Sequence, residues 1–293
     1  MRKAFHKSAV PESRSFELQE LREKHFDPLW HAHSEYQLFT VLAGTGTRFI
    51  GDTIHSFKPG ELILIGPHIP HLWRSDPIYL NKQNSRSTHG IVLYLRDNFL
   101  GKEMMDKDEF SSFRKLLKRA SHGIEFHGKK REQVIGLMKQ MIGLSGIDAI
   151  ICLLQIFQLL AGAEKQRPIS NKAYEEPYEP GEARRMNLIY DHVMTNYAKQ
   201  ITLKELAELV HMTPSSFSRY FSMRNNKTVS DCIKEIRIKH ACKLLSESEQ
   251  MVSAIGYDCG FNTLSNFNVQ FKSVMGCPPL EYRKKLLQLS TWR

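Results

Sequence analysis

Apolar positions change their period part-way along the chain. Up to about residue 97 they come in short runs rich in Val, Ile, Leu, Tyr and Phe, at 36–42, 47–50, 61–65 and 90–95. Gly44, Gly46, Gly51-Asp52, Pro59-Gly60 and Pro67 punctuate these runs. Strands at that spacing predict a small antiparallel barrel or sandwich. Beyond residue 97 the period becomes helical, with helices predicted over 110–120, 131–144 and 148–161. The last two are apolar over a wide face, so they either cover the strands or meet a second copy of the chain.

A compositional break follows. Residues 164–185 (EKQRPISNKAYEEPYEPGEARR) carry three prolines, a glycine and mixed charge without apolar periodicity, which reads as a linker. Domains are therefore expected at 1–163 and 186–293. The second is helical throughout. Thr202 and Glu205 form a capping box, and Thr213 precedes Pro214 as a cap before a first-turn proline. Residues 228–245 read as one long helix. Asn262 is expected to cap the helix that buries Phe267, Phe271 and Val274.

This helical region repeats itself. SSFSRYF from Ser215 matches SNFNVQF from Ser265 at an offset of 50 residues, and each copy follows a short helix and a tight connection. Helix, turn, then a helix with small polar residues on one face is a helix-turn-helix. Ser, Asn and Arg can reach base edges. About 18 residues of connecting helix span roughly 27 Å, close to the roughly 34 Å between successive major-groove segments. The chain holds 41 basic and 31 acidic residues, net +10. Residues 181–293 alone hold 16 basic against 10 acidic, as phosphate contacts require.

The stretch AIGYDCGF from Ala254, followed by SNFNVQFKSVMGCPPLEYRK from Ser265, resembles the signature of the AraC/XylS family of bacterial transcription regulators. Gly260-Phe261, Phe267, Phe271-Lys272, Gly276, Pro278-Pro279 and Tyr282-Arg283 all fall in register. The resemblance implies two helix-turn-helix units, with recognition helices near 214–223 and 263–274, and promoter control. It places Ser215, Ser218 and Arg219 in one groove, and Leu264, Ser265, Asn268 and Val269 in the next. Ser216, Thr263 and Lys272 complete the candidate DNA contacts. Members of the family often carry Arg where this chain has Val269.

In the first half, His31, His33 and Gln37 share a parity, so an extended strand points them to one face. With the PGELILIGPHIPH segment ending at His71, they resemble the two-part motif of the cupin barrel. Three histidines and a carboxylate would make a metal site suited to dioxygen chemistry. Gln37 stands where the carboxylate is expected. The resemblance therefore leaves two readings: an effector pocket of His31, His33, Gln37, His71 and Trp73, with Tyr36 beside it, or a metal on His31, His33 and His71.

The fold class expected is α+β: an N-terminal cupin-like β-barrel with dimerisation helices, then an all-α domain with two helix-turn-helix units joined by a long helix. The function expected is a transcription regulator that binds double-stranded DNA, answers a small-molecule effector such as a sugar, and forms a homodimer. RNA polymerase is a further candidate partner. No catalysis and no cofactor is called for. The alternatives are a metal-dependent cupin enzyme fused to a DNA-targeting module and a regulator without a ligand. The five cysteines form no CxxC pair, the start lacks a signal-peptide core, and 147–163 falls short of a spanning helix. A reduced cytoplasmic protein with no membrane segment is expected.

Overall fold

Short apolar runs bounded by glycine and proline become strands in the computed structural model, which describes residues 10–81, 83, 85–170, 172–174 and 180–290. The strands are β1 (Phe16–Glu23), β2 (Tyr36–Ala43), β3 (Gly46–Ile50), β4 (Thr53–Phe57), β5 (Leu62–Ile65), β6 (His71–Ser75), β7 (Thr88–Leu95), β8 (Ile124–Phe126) and β9 (Gln166–Pro168). They form two sheets, a larger one in the order β1-β7-β2-β5-β8-β9 and a smaller one in the order β4-β3-β6. Every pairing is antiparallel.

Strand alternation sorts the side chains into two cores. Phe39, Val41, Ile63, Ile65 and Val92 face inward and meet Ile50, Phe57 and Trp73 of the smaller sheet. Leu38, Leu62, Leu64, Ile91 and Leu93 face the other way. There they pack under α3 (Ser111–Arg119), α4 (Lys129–Met141) and α5 (Gly146–Ala161), while two short helices, α1 (Pro77–Leu80) and α2 (Lys102–Met105), lie in the connections. Strand β1 escapes a reading by composition. Its sequence FELQELRE is acidic and half-exposed, yet it pairs with β7 over its whole length.

Helix α5 buries Ala149, Cys152, Leu153, Ile156, Phe157 and Leu160 and leaves Ile147, Ile151 and Leu154 exposed. Among the described residues no helix is long and apolar enough to cross a membrane. All five cysteines are free thiols.

The segment expected to be a linker starts as part of the sheet. Gln166, Arg167 and Pro168 pair with Phe126, Glu125 and Ile124. Ser170 is buried, its amide donating to the His122 carbonyl. Residues 171 and 175–179 of that segment lie outside the described residues. The chain divides into two compact units between Ala183 and Arg184.

The second unit is helical: α6 (Pro180–Asn196) enters it, followed by α7 (Leu203–Leu209), α8 (Pro214–Asn225), α9 (Val229–Glu247), α10 (Val252–Asp258), α11 (Leu264–Met275) and α12 (Pro279–Ser290). The Thr202–Glu205 capping box is formed in full. Thr213 caps α8 and Thr228 caps α9. The cap of α11 is Thr263 rather than Asn262, with its hydroxyl accepting from the Asn266 amide. The turn between α10 and α11 is one residue longer than that between α7 and α8, and Asn262 in it is exposed.

Candidate functional site

Two constellations carry the chemistry, one in each unit. In the first unit an isolated bridge between His31 and His71 closes the entry to β6, with each backbone amide donating to the other's carbonyl. The bridge brings the two rings to 4.4 Å between centroids, tilted by 60°, and His33 lies 5.1 Å from His71. The ligand-capable atoms of His31, His33 and His71 fall within 4.8 Å of one another. Gln37 is buried in their midst on β2.

The tautomers follow from the backbone. Each Nδ1 faces a carbonyl: His31 that of Leu29 at 2.7 Å, His33 that of Glu35 at 2.9 Å, and His71 that of Ile69 at 2.7 Å. A carbonyl only accepts, so each Nδ1 carries the proton and each neutral Nε2 keeps a lone pair. Burial lowers all three pKa values and favours that neutral form, most strongly at His71. Gln37 Oε1 then stands 2.9 Å from His33 Nε2 and 3.1 Å from His71 Nε2, facing two lone pairs. Such an arrangement is satisfied in two ways. Either the amide turns so that its NH2 donates to both rings, or a cation sits among the four atoms.

Trp73 packs edge-on against His71 at 5.7 Å and Phe39 at 4.7 Å. Tyr36 does not join the cluster. It has the opposite parity on β2 and packs in the helix-covered core. Tyr94 takes the place beside it: it pairs with Gln37 across β7 and holds its ring 5.3 Å from His33. Burial pushes its phenol up to about 12, so it stays a neutral donor. No local motif marks Tyr94, and only the register of β2 on β7 brings it there.

A second buried polar group lies on the same inner face. Arg48 of β3 donates to Glu61 at 2.9 Å and to Glu125 at 2.8 Å, and Arg167 of β9 holds Glu125 at 2.9 Å. Burial pushes the Glu61 carboxyl up to about 7. Burial alone would raise Glu125 as well, but Arg48 and Arg167 outweigh it and hold that carboxyl below its usual range. The group clamps the smaller sheet to β8 and β9. Its members are scattered along the chain, so spacing could not reveal it.

In the second unit the two candidate reading helices are α8 and α11. Phe217 and Phe221 are buried in the first, and Phe267 and Phe271 in the second. Ser215, Ser216 and Arg219 are exposed, and Ser218 is half-buried. Thr213 Oγ1 lies within hydrogen-bond distance of both Ser215 and Ser216 hydroxyls. On α11, Leu264, Ser265, Asn268, Val269 and Lys272 are exposed, whereas Thr263 is committed to its cap. Between the two, α9 rises about 28 Å over its 19 residues. Arg237 of α9 donates to the carbonyls of Tyr197 and Lys199, fixing the connection from α6 to α7.

Comparison with known proteins meets both constellations. Residues 15–89 match the family model described as the AraC-like ligand binding domain, and residues 206–285 match the helix-turn-helix domain model. The chain is 21% identical to the HTH-type transcriptional activator RhaR of Mannheimia succiniciproducens, over 92% of each chain. It is 26% identical to the activator RhaS of the same organism, over 86% of this chain and 88% of the relative. A similarity of 32% to the regulator YdeC of Bacillus subtilis is confined to 34% of each chain. Among solved structures, ToxT from Vibrio cholerae aligns over 93% of this chain and 98% of its own, with 15% identity and a TM-score of 0.37.

Proposed function

This chain belongs to the AraC family of transcription regulators, and from that premise we propose that it reads two successive major-groove segments and senses a small molecule through its histidine cluster. The DNA-reading half rests on one observation above the others. Two capped helices of 12 residues each present exposed side chains from a single compact unit, joined by α9. Ser215, Ser216, Ser218 and Arg219 supply the contacts of α8. Leu264, Ser265, Asn268, Val269 and Lys272 supply those of α11, and Thr263 orients its first turn. The relatives RhaR and RhaS carry the name of activators, and we read this chain as an activator that meets RNA polymerase at its promoter. It is a regulator and performs no catalysis.

The sensor reading rests on His31, His33, Gln37, His71 and Trp73, with Tyr94 added. Neutral imidazoles, an amide and a phenol form a neutral hydrogen-bonding set that suits a hydroxyl-rich, uncharged effector such as a sugar. A thermal-shift screen of the full chain against sugars and polyols tests it. A ligand at 100 times its dissociation constant should add about 2.7 kcal/mol, and Gln37→Ala with His71→Ala should abolish the shift. A set of shifts that both variants retain would move the effector elsewhere.

The tautomers favour a second reading. His31, His33 and His71 could hold a divalent transition-metal ion through Nε2, with Gln37 Oε1 beside them, because backbone carbonyls already orient each ring for that task. Such an ion would serve as a Lewis acid or as the sensed species. Stoichiometric metal in protein purified without chelators, lost in His71→Ala, would support it.

The homodimer proposal is supported by the exposed Ile147, Ile151 and Leu154 on α5. Ile151→Glu should convert dimers to monomers in sedimentation without changing the unfolding of the chain. A wild-type chain that is monomeric at high concentration would remove the proposal.

A further inference from the structure

We propose that the second recognition helix reads the 5-methyl groups of thymine, so that its half of the operator is selected as A·T-rich through apolar contact. The proposal rests on the DNA-binding reading above and goes further by naming the base chemistry α11 recognises.

Val269 is 63% exposed and Leu264 39%, both on a helix whose buried side is already filled by Phe267 and Phe271. Neither belongs to the core of this unit, which gathers Ile255, Phe261, Phe267 and Phe271. The helical period places Leu264, Asn268 and Lys272 in one row and Ser265 and Val269 in the next. Leu264, Asn268, Val269 and Lys272 line one open groove of about 610 Å3, which Pro278 and Leu280 also border. Whatever base edge meets Val269 therefore also lies beside Asn268.

The major groove offers one apolar group, the thymine methyl. Asn268 matches the adenine edge, with its paired donor and acceptor, and Lys272 carries the charge for a phosphate. The five-residue step from Leu264 to Val269 advances about 7.5 Å along the helix. That is close to two base steps of about 3.4 Å. Two methyls two base pairs apart on one duplex would fit the pair. The first recognition helix has Pro214 and Arg219 at the equivalent places, so this chemistry is confined to the second.

The test uses the full chain. A duplex is enriched from a randomised library, the segment protected by α11 is located by footprinting, and every thymine in it is replaced by deoxyuridine, which removes the methyl alone. Each methyl in contact should cost about fourfold in affinity. A thymine-to-cytosine change should be partly repaired by 5-methylcytosine. Leu264→Ala combined with Val269→Ala should bind thymine and uracil duplexes equally while keeping the wild-type unfolding midpoint. A wild-type chain that treats the two duplexes alike, or a double variant that keeps the full thymine preference, overturns the inference and leaves the DNA-binding reading intact. A chain that enriches no duplex overturns both.

Discussion

The two helix-turn-helix units share a skeleton and differ in what they show to solvent. Each second helix is 12 residues long and capped by a threonine that accepts from the amide three residues on. Each ends in a left-handed residue, Asn226 at φ 53° and Gly276 at φ 76°. Each buries two phenylalanines four residues apart. The turns also need a positive φ, met by His211 at 57° in the first and by Gly260 at 84° in the second. The outer faces diverge: Ser215, Ser218 and Arg219 against Ser265, Asn268 and Val269. Duplication preserves what the backbone requires and frees what the groove reads. The first unit offers a forked cation and the second an apolar surface, so specificity by directed hydrogen bonds belongs mainly to the first.

The sharpest break of the likeness lies in the turns. At Gly260 a Cβ would stand 2.6 Å from the Ala198 carbonyl oxygen, so an alanine there meets backbone as well as an unfavourable φ. Gly260→Ala should cost about 2–3 kcal/mol in denaturant unfolding, whereas His211→Gly should change stability by a few tenths. Equal losses at the two turns would mean that the second unit has no special constraint.

Arg219 comes next. It is exposed, and the Asp231 carboxylate at the start of α9 is already held by Lys234 at 2.6 Å and by Thr228 at 2.8 Å. Arg219→Ala should lose about 1–3 kcal/mol of binding and relax preference at one base pair. A loss spread evenly over all sequences would assign Arg219 to phosphate instead. The caps should behave alike. Thr213→Ala and Thr263→Ala should each lower stability by about 1 kcal/mol, and a much larger loss at either would show that its helix depends more on the cap than its twin does. The smallest effect is expected at Val269. Val269→Arg should give up its methyl contact, about fourfold in affinity, and recover most of that through one added cation, which steepens the salt dependence by about one phosphate. An unchanged salt slope would mean that a side chain at 269 meets only the bases.

The helical unit was legible because its determinants are local. A capping box, a proline at the first helical position and phenylalanines at i and i+4 act within one turn of helix. Even there one reading slipped. Asn262 and Thr263 are both competent caps, and the extra residue in the turn decided between them. Inward parity on β2 likewise placed Gln37, and it separates Tyr36 from it. The sensor unit was legible only in part. His31 and His33 are two residues apart, but their meeting with His71 depends on a bridge between segments 40 residues distant. Tyr94 arrives through strand register, the Arg48–Glu125 pair spans 77 residues, and residues 166–168 leave the expected linker to extend a sheet.

The sequence by itself thus determined the turns, caps and helical faces, because those interactions close over three or four residues and do not depend on the rest of the chain. Only the tertiary structure decided which histidines, acids and arginines share an interior. Cross-strand neighbours are chosen by register, and register is set by the summed packing of both sheet faces rather than by any residue alone.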